Sequence, residues 1–190
     1  MARKEGKCSK KVADLNEFWS GQKNIELFDP NTLACPEWED ILTQLKESHS
    51  WVNFNQGMDV RMITDKKLQL IKDIKIKHVH FAWDRYEDKD LIVPRLQMFK
   101  DATGWNRSKV SCYVLCNFNT TMEQNMERIM FLRSLDFNPY VMIYDKEHVQ
   151  RGSQINALAR WVNFKPLFWK YNTFEEYCRN EIKTERKWDT

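Results

Sequence analysis

The sequence predicts an α/β protein built as a partial, open (β/α) barrel, with about five parallel strands and outer helices. Strand-like and helix-like segments alternate five times along the chain at spacings of about 25 to 30 residues, as in repeated βαβ units. Most strand-like segments pair an apolar face with a polar one, as expected for a sheet that lines a ligand-filled interior. Their carboxyl ends are also polar, and ligands bind at that edge of parallel sheets and barrels.

The composition excludes several broad classes of protein. A chain of 190 residues that is 42% hydrophobic can bury a sizeable core. Its net charge of +3, from 30 basic and 27 acidic residues, leaves only local basic clusters as evidence for nucleic-acid binding. No signal peptide and no unbroken apolar run of about 18 residues is present, so we expect a soluble, cytoplasmic protein. The five irregularly spaced cysteines favour reduced thiols over a disulfide framework.

The first half of the chain contains the first two strand–helix pairs. The predicted elements are a short helix at Val12–Trp19, a strand at Asn24–Phe28, a helix at Pro36–Ser48 and a strand at Trp51–Arg61. Because side chains alternate along a strand, Val52 and Phe54 point to one face of the last strand and Asn53 and Asn55 to the other. Thr64 is placed to cap the helix that follows.

The second half continues the alternation. The predicted elements are a strand at His78–Asp84, a helix at Asp90–Thr103 ended by Gly104, a strand at Val110–Phe118, a helix opened by a capping box at Thr120–Glu123, a strand at Tyr140–Tyr144, and helical segments from Ser153 that include a capping box at Thr173–Glu176. The helix after Thr120 is predicted to bury Met122, Met126, Ile129 and Met130. The predicted parts are a basic amino-terminal segment (1–22), the barrel (23–165) and a helical extension with a tail (166–190).

Polar side chains gather on the less apolar strand faces and at the strand ends. The candidate ligand-binding residues are Asp29, Asn31, Asn53, Asn55, Asp59, Arg61, Asp84, Asn117 and Asn119. Each strand-end residue has an alternative role as a turn former or helix cap. Asp59 and Arg61 form either a local ion pair or a carboxylate and guanidinium beside a ligand.

Two clusters suggest metal chemistry. His78, His80 and Asp84 fall on one predicted strand face, where they would either bind a metal or be satisfied core residues. Cys112 and Cys116 lie on the apolar face of their strand, which favours buried thiols over iron–sulfur ligands. With five glycines and no glycine-rich phosphate loop, the sequence also disfavours a conventional nucleotide-binding fold.

Basic residues cluster at the amino end. They are Arg3, Lys4, Lys7, Lys10 and Lys11. They are either a solvated tail or the contact surface of a non-catalytic module that binds a protein or nucleic-acid partner.

Five stretches of the sequence carry a resemblance to a known family. They are Asn24-Ile-Glu-Leu-Phe-Asp-Pro-Asn31, Val52-Asn-Phe-Asn-Gln-Gly-Met-Asp-Val-Arg61 with Thr64-Asp65, His80-Phe-Ala-Trp-Asp84, Tyr113-Val-Leu-Cys-Asn-Phe-Asn119, and Asp136-Phe-Asn-Pro-Tyr-Val-Met-Ile-Tyr-Asp145. Across residues 3–165 the chain resembles the radical S-adenosylmethionine superfamily, in particular short bacterial and phage-associated members.

The resemblance implies an open barrel whose lumen holds S-adenosylmethionine and a substrate, here unidentified. Asp29, Asn55, Arg61, Asp84 and Asn117 would flank the S-adenosylmethionine. A complete member would use a [4Fe–4S] cluster to cleave S-adenosylmethionine reductively and to abstract a hydrogen atom from its substrate.

This chain departs from the family pattern in two places. The usual Gly-Gly-Glu is replaced by Phe28-Asp29-Pro30, and the printed sequence contains no Cys-x-x-x-Cys-x-x-Cys loop. Met1–Lys7 looks like the segment just beyond that loop. The chain therefore resembles the barrel without its first strand and cluster loop, and we expect no turnover from it alone.

Overall fold

A computed structural model of the protein describes residues 10–29 and 31–182. Arg3, Lys4, Lys7, Cys8 and Pro30 therefore lie outside the described residues, as does the predicted tail from residue 183. The expectations that rest on them stay predictions.

Five strands form one open, parallel sheet. They are β1 (Asn24–Leu27), β2 (Trp51–Met58), β3 (Ile76–Trp83), β4 (Val110–Cys116) and β5 (Asn138–Ile143). Their order in the sheet is β1-β2-β3-β4-β5, the same as in the chain. A doubly wound sheet would reverse direction at a switch point, and this order does not. The predicted α/β class and its five parallel strands are confirmed, whereas closure into a partial barrel stays a prediction.

Helices separate the strands and follow the last one. They are α1 (Trp38–Glu47), α2 (Asp65–Asp73), α3 (Lys89–Thr103), α4 (Met122–Ser134), α5 (Gln154–Asn163), α6 (Lys165–Lys170) and α7 (Phe174–Glu181). Short 3₁₀ turns occur at Leu15–Glu17, Thr32–Ala34, Val60–Met62, Tyr86–Asp88 and Lys146–His148. Within the described ranges, no helix combines the length and apolarity needed to cross a membrane.

The described residues group into two compact units. The first comprises residues 10–29, 31–82 and 88–111, and the second comprises 83–87 and 112–182. The predicted divisions after residues 22 and 165 fall inside these units.

In the first unit, the sheet has one buried face and one partly exposed face. Val52 and Phe54 are buried, whereas Asn53 and Asn55 between and after them are partly exposed. Pairing places Asn53 beside Glu26 of β1 and, on its other side, beside His78 of β3. The predicted amide face of β2 is therefore confirmed.

Local signals set the ends of the helices in the first unit. Thr64 caps α2, because its hydroxyl accepts a hydrogen bond from Lys67 N at 3.4 Å. Gly104 ends α3 in the left-handed conformation, with φ of 64°, as glycine does without strain. Both predictions are confirmed, but the predicted helix at Val12–Trp19 is wrong, since only the short 3₁₀ turn forms there.

Two predicted strands extend two or three residues too far. β2 ends at Met58 because Asp59 caps the next turn, its carboxylate accepting from Arg61 N at 3.0 Å. β4 ends at Cys116 because Asn117 is left-handed, with φ of 66°, which interrupts extended backbone. Asn117 and Asn119 therefore follow the strand rather than share a face with its residues.

In the second unit, α4 differs from its prediction in two respects. Its capping box joins Thr121 to Gln124, one residue beyond the predicted Thr120–Glu123 pair. It buries Asn125, Arg128, Ile129 and Leu132, whereas the three predicted methionines are only partly buried. Arg128 therefore lies on the buried face of the helix, where the apolar pattern of the sequence predicts methionine.

The cap of α7 is confirmed in part. The Thr173 hydroxyl accepts a hydrogen bond from Glu176 N at 3.1 Å, as predicted. The Glu176 carboxylate, however, accepts from Asn172 N at 2.8 Å instead of closing the box on Thr173.

Candidate functional site

A carboxylate and two amides form a hydrogen-bonded network on the partly exposed face of the first unit. Asn55 Nδ2 donates to Glu26 Oε2 at 2.6 Å, and Asn53 Nδ2 donates to the same oxygen at 2.9 Å. Asn53 Nδ2 also lies 2.7 Å from Asn55 Oδ1. β1 and β2 position this network by pairing Glu26 with Asn53 in register.

The network presents hydrogen-bond acceptors. The amides of Asn55 and Asn53 hold the pKa of the Glu26 carboxyl below its ordinary value, because they stabilise the ionised form. Asn53 Oδ1 is buried and has no hydrogen-bond partner among the described residues. A carboxylate beside an unsatisfied amide oxygen suits a ligand that supplies N–H or O–H groups, such as an ammonium or a pair of hydroxyls.

A second polar group lies beside it on β3 and β4. His78 Nε2 is 2.7 Å from Ser111 Oγ, and His80 Nδ1 is 3.1 Å from the same oxygen. The two imidazole rings are 4.6 Å apart between centroids, tilted at 46°. Their strand neighbours Val79 and Phe81 are fully buried, which fixes both rings on the opposite, partly exposed face.

The environment of His80 favours its neutral form. Burial, and then the neighbouring His78, lower the pKa of His80 from 6.5 to about 4. Between these values the unfolded chain binds a proton that the folded chain does not, so stability rises with pH. The stability that the unprotonated His80 contributes is complete above pH 6.5 and is lost as the pH falls toward about 4.

We expect His80→Gln to flatten this dependence. Without the imidazole, the variant should lose less stability than the wild type between pH 6.5 and about 4. Urea unfolding of both proteins across that window measures the difference. Carboxyl groups titrate equally in both proteins, so stability curves that stay parallel would contradict the assignment.

An ion-pair triad lies at the carboxyl end of β2. Arg61 Nε and Nη2 donate to the two carboxylate oxygens of Asp59, each at 2.9 Å, and Nη1 donates to Asp88 Oδ2 at 3.0 Å. Burial raises the pKa of Asp59, but the hydrogen bonds from Arg61 outweigh it and lower the pKa overall. The local ion pair predicted as one alternative is present, and it places one guanidinium between two carboxylates.

Asp29 and Asn31 lie at the end of β1, in a different setting from the amide network. Asp29 is exposed and lines a cavity of about 150 Å³ beside Phe18, Leu27 and Cys35. This volume is below the roughly 300 Å³ at which small-molecule sites usually begin. Asn31 starts the turn that follows, its carbonyl accepting from Ala34 N at 3.1 Å.

The three candidates in the second unit occupy strand ends. Asp84 is exposed directly after β3. Asn117 Nδ2 donates to the Tyr144 carbonyl at 3.1 Å, which ties together the ends of β4 and β5. Asn119 is also left-handed, with φ of 50°. Asparagine tolerates this conformation, so the geometry explains both asparagines as turn formers.

The described residues do not assemble a metal site. They contain no group of three or more His, Cys, Asp or Glu side chains arranged to hold a metal ion. Cys112 and Cys116 are buried, and burial raises the pKa of both thiols, that of Cys116 to about 11. The prediction that both are buried thiols is confirmed.

The described part of the basic amino end is already partly paired. Lys11 forms ion pairs with Asp14 and Asp40. These contacts raise the pKa of Lys11, mainly through the hydrogen bond to Asp14, and use its charge within the chain. The first unit contains a cleft of about 420 Å³ at this place, lined by Asp14, Asp40 and Gln44 among others.

Sequence reasoning missed three residues of these clusters. Glu26, Asp88 and the linking role of Ser111 depend on partners 27 to 33 residues away. Glu26 alternates with the buried Ile25 on β1, and this local alternation is the signal that could have placed it on the polar face. Only the strand register shows that it meets the amides of β2.

Fold and site together define an α/β protein with an open parallel sheet, one face of which carries a carboxylate–amide network and a histidine–serine cluster. Comparison with protein-family models, curated proteins and solved structures finds no match to this chain.

Proposed function

We propose that this chain is part of a radical S-adenosylmethionine enzyme, and that S-adenosylmethionine binds over the carboxylate–amide network of Glu26, Asn53 and Asn55. The observation that carries the proposal is the buried Asn53 Oδ1, which has no hydrogen-bond partner in the described part of the chain, beside the ionised Glu26 carboxylate. An ammonium group and ribose hydroxyls are hydrogen-bond donors of the kind that these acceptors require. The five stretches that resemble the family support the same assignment.

The sheet order supports a barrel-type architecture. In a (β/α) barrel, strands follow one another around the sheet in chain order, and right-handed crossovers place every connecting helix on one side. The order β1-β2-β3-β4-β5 follows this rule, and polar residues alternate with buried ones on β2, β3 and β4. We propose that the sheet curves into a partial barrel with its polar face toward the lumen.

The described residues fit S-adenosylmethionine but not an iron–sulfur cluster. When bound, S-adenosylmethionine supplies a sulfonium whose reductive cleavage yields the radical that abstracts hydrogen from the unidentified substrate. The described cysteines are Cys35, Cys112, Cys116 and Cys178, and burial raises the pKa of each thiol. A cluster needs converging thiolates, so we expect neither a cluster nor 5′-deoxyadenosine from this chain alone.

Asn53→Ala provides the test of the binding site. Loss of the Asn53 amide should weaken S-adenosylmethionine binding about tenfold or more, as expected when a hydrogen bond to a charged donor is removed. Equilibrium dialysis with radiolabelled S-adenosylmethionine measures the affinity. Gln56→Ala is the matched control, because Gln56 is an exposed amide on the same strand.

Two results would contradict the proposal. They are undetectable binding to the wild-type chain and equal losses in Asn53→Ala and Gln56→Ala. Stoichiometric iron and sulfide with 5′-deoxyadenosine after anaerobic reconstitution would instead contradict the expectation that this chain alone does not turn over. Far-UV circular dichroism of both variants separates a lost contact from a lost fold.

A further inference from the structure

The strands at the two edges of the sheet, β1 and β5, differ in how their outer backbone groups are used. In β5, Val141 N donates to Asn163 Oδ1 at 2.7 Å, and the Val141 carbonyl accepts from Asn163 Nδ2 at 2.9 Å. Lys165 Nζ donates to the carbonyl of Pro139, a residue that has no N–H of its own. A side-chain amide that donates and accepts in this way takes the place of a neighbouring strand, so the β5 edge is closed.

The outer edge of β1 has no such cover. The Lys23 carbonyl accepts from Trp51 N at 2.8 Å, so the backbone groups of every second residue from Lys23 face β2. The backbone groups of Asn24 and Glu26 therefore point away from β2. Both residues are exposed, and in the described part of the chain no hydrogen bond reaches these N–H and carbonyl groups. A row of unpaired backbone groups is a template for an added strand.

The charged residue of β1 does not guard this edge. Edge strands are often protected by a charged side chain that projects over them. The Glu26 carboxylate lies toward β2 instead, where it accepts from the side-chain amides of Asn53 and Asn55. The backbone of β1 is therefore left open to main-chain hydrogen bonds.

An apolar cavity adjoins the end of the same strand. This cavity of about 150 Å³ is lined by Leu27 of β1 and by the buried Cys35 and Leu45 among others. Two further lining residues, Val12 and Phe18, are 88% and 69% exposed. Apolar side chains that are exposed together are typical of a surface that contacts another protein. The volume suits a single apolar side chain rather than a small molecule.

We propose that the β1 edge binds an extended peptide segment of a partner protein as an added strand, with one apolar side chain of that segment in the cavity beside Leu27. The N–H and carbonyl groups of Asn24 and Glu26 supply the main-chain hydrogen bonds, and the cavity selects the side chain. Only an extended chain presents donors and acceptors at the two-residue repeat of this edge. The peptide pairs with the edge of the sheet and not with its polar face, so binding does not require S-adenosylmethionine.

Hydrogen exchange followed by NMR tests the edge directly. The probe is an acetylated and amidated octapeptide of alternating leucine and threonine between two terminal lysines. Saturating peptide should slow exchange of the Asn24 and Glu26 backbone amides at least about tenfold, because each gains an acceptor. Unchanged exchange would overturn the proposal. Protection without peptide, together with a dimer in analytical ultracentrifugation, would also overturn it, in favour of a second copy of the chain.

Methylated peptides provide a control that leaves the protein unchanged. N-methylation of alternate peptide residues blocks one of the two edges of the peptide. Methylation of the series that faces β1 should weaken binding at least about tenfold in isothermal titration calorimetry, and methylation of the other series should not. Equal affinities for the two methylated peptides would overturn the proposal.

A pair of variants tests the same edge from the side of the protein. Asn24→Pro removes one outward N–H at the first position of an edge strand, where proline is tolerated. It should weaken binding of the unmodified peptide, whereas Asn24→Ala, which keeps the N–H, should not. Far-UV circular dichroism checks that both variants fold, and equal affinities for the two folded variants would overturn the proposal.

Discussion

Arg128→Met should lower the free energy of unfolding by about 3–5 kcal/mol. Arg128 is fully buried, and its guanidinium donates to the carbonyls of Trp83 and Leu115, each at 2.8 Å, and to Asn125 Oδ1 at 2.6 Å. Methionine fills similar space but donates nothing, so buried acceptors from two strands would lose their donor. Burial lowers the pKa of Arg128, yet the guanidinium keeps its charge at neutral pH, because hydrogen bonds to neutral oxygens and the charges of Asp84 and Glu87 stabilise it.

Urea unfolding provides the comparison. Arg179→Met is the matched control, because Arg179 is exposed on a helix of the same unit, and its loss should stay within about 0.5 kcal/mol. Arg128→Lys should fall between the two, since an ammonium keeps the charge but lacks the planar fork that reaches both strands. A loss below about 1 kcal/mol for Arg128→Met would contradict the assigned role.

Trp161→Ala should cost about 3–5 kcal/mol of stability, the range for removing a large buried aromatic side chain. Trp161 of α5 is fully buried, and its ring centroid lies 5.0 Å from that of Phe168, 5.7 Å from Phe174 and 6.2 Å from Tyr177. Its indole N–H also donates to the Leu167 carbonyl at 3.2 Å. The segment after residue 165, predicted as an extension, supplies these partners and so completes the core of the second unit.

Phe164→Ala is the control for this substitution. Phe164 is 56% exposed and adjoins the same helices, so its removal should change stability by no more than about 0.5 kcal/mol. Near-ultraviolet circular dichroism reports whether the remaining aromatic rings keep their packing. Equal losses for the two variants would show that the Trp161 cluster does not hold these helices together.

Local sequence signals predict much of the fold. The alternation along β3 and β4 separates buried Val79, Phe81 and Val114 from partly exposed His78 and Tyr113. A period of two is a short-range property, so it is readable without knowing the partner strand. The caps at Thr64 and Gly104 are equally local.

The site depends on distant pairings that short-range patterns do not contain. β2 has additional residues between Phe54 and Met58, opposite a single residue between Val79 and Phe81 of β3. Such an irregularity shifts the register, and a shift of one residue exchanges the two faces of a strand. The contact between Glu26 and the amides of β2 depends instead on the regular pairing of β1 with β2, which joins residues 27 positions apart and which no short-range pattern contains.

A buried charge is the second reason why the sequence does not predict the structure correctly. In α4 the methionines suggest the buried face, but the structure buries Arg128 and Asn125 instead. A hydropathy pattern cannot anticipate this, because Arg128 is stabilised by carbonyls at the ends of β3 and β4 rather than by apolar contacts.

The central claim is that S-adenosylmethionine binds over Glu26, Asn53 and Asn55, and side-chain amide NMR tests it most directly. Titration of the nitrogen-15 labelled chain should shift the side-chain amide signals of Asn53 and Asn55 together, with one dissociation constant, and leave that of Gln56 in place. Shifts confined to Gln44, in the cleft of Asp14 and Asp40, or no shifts at all, would contradict the claim.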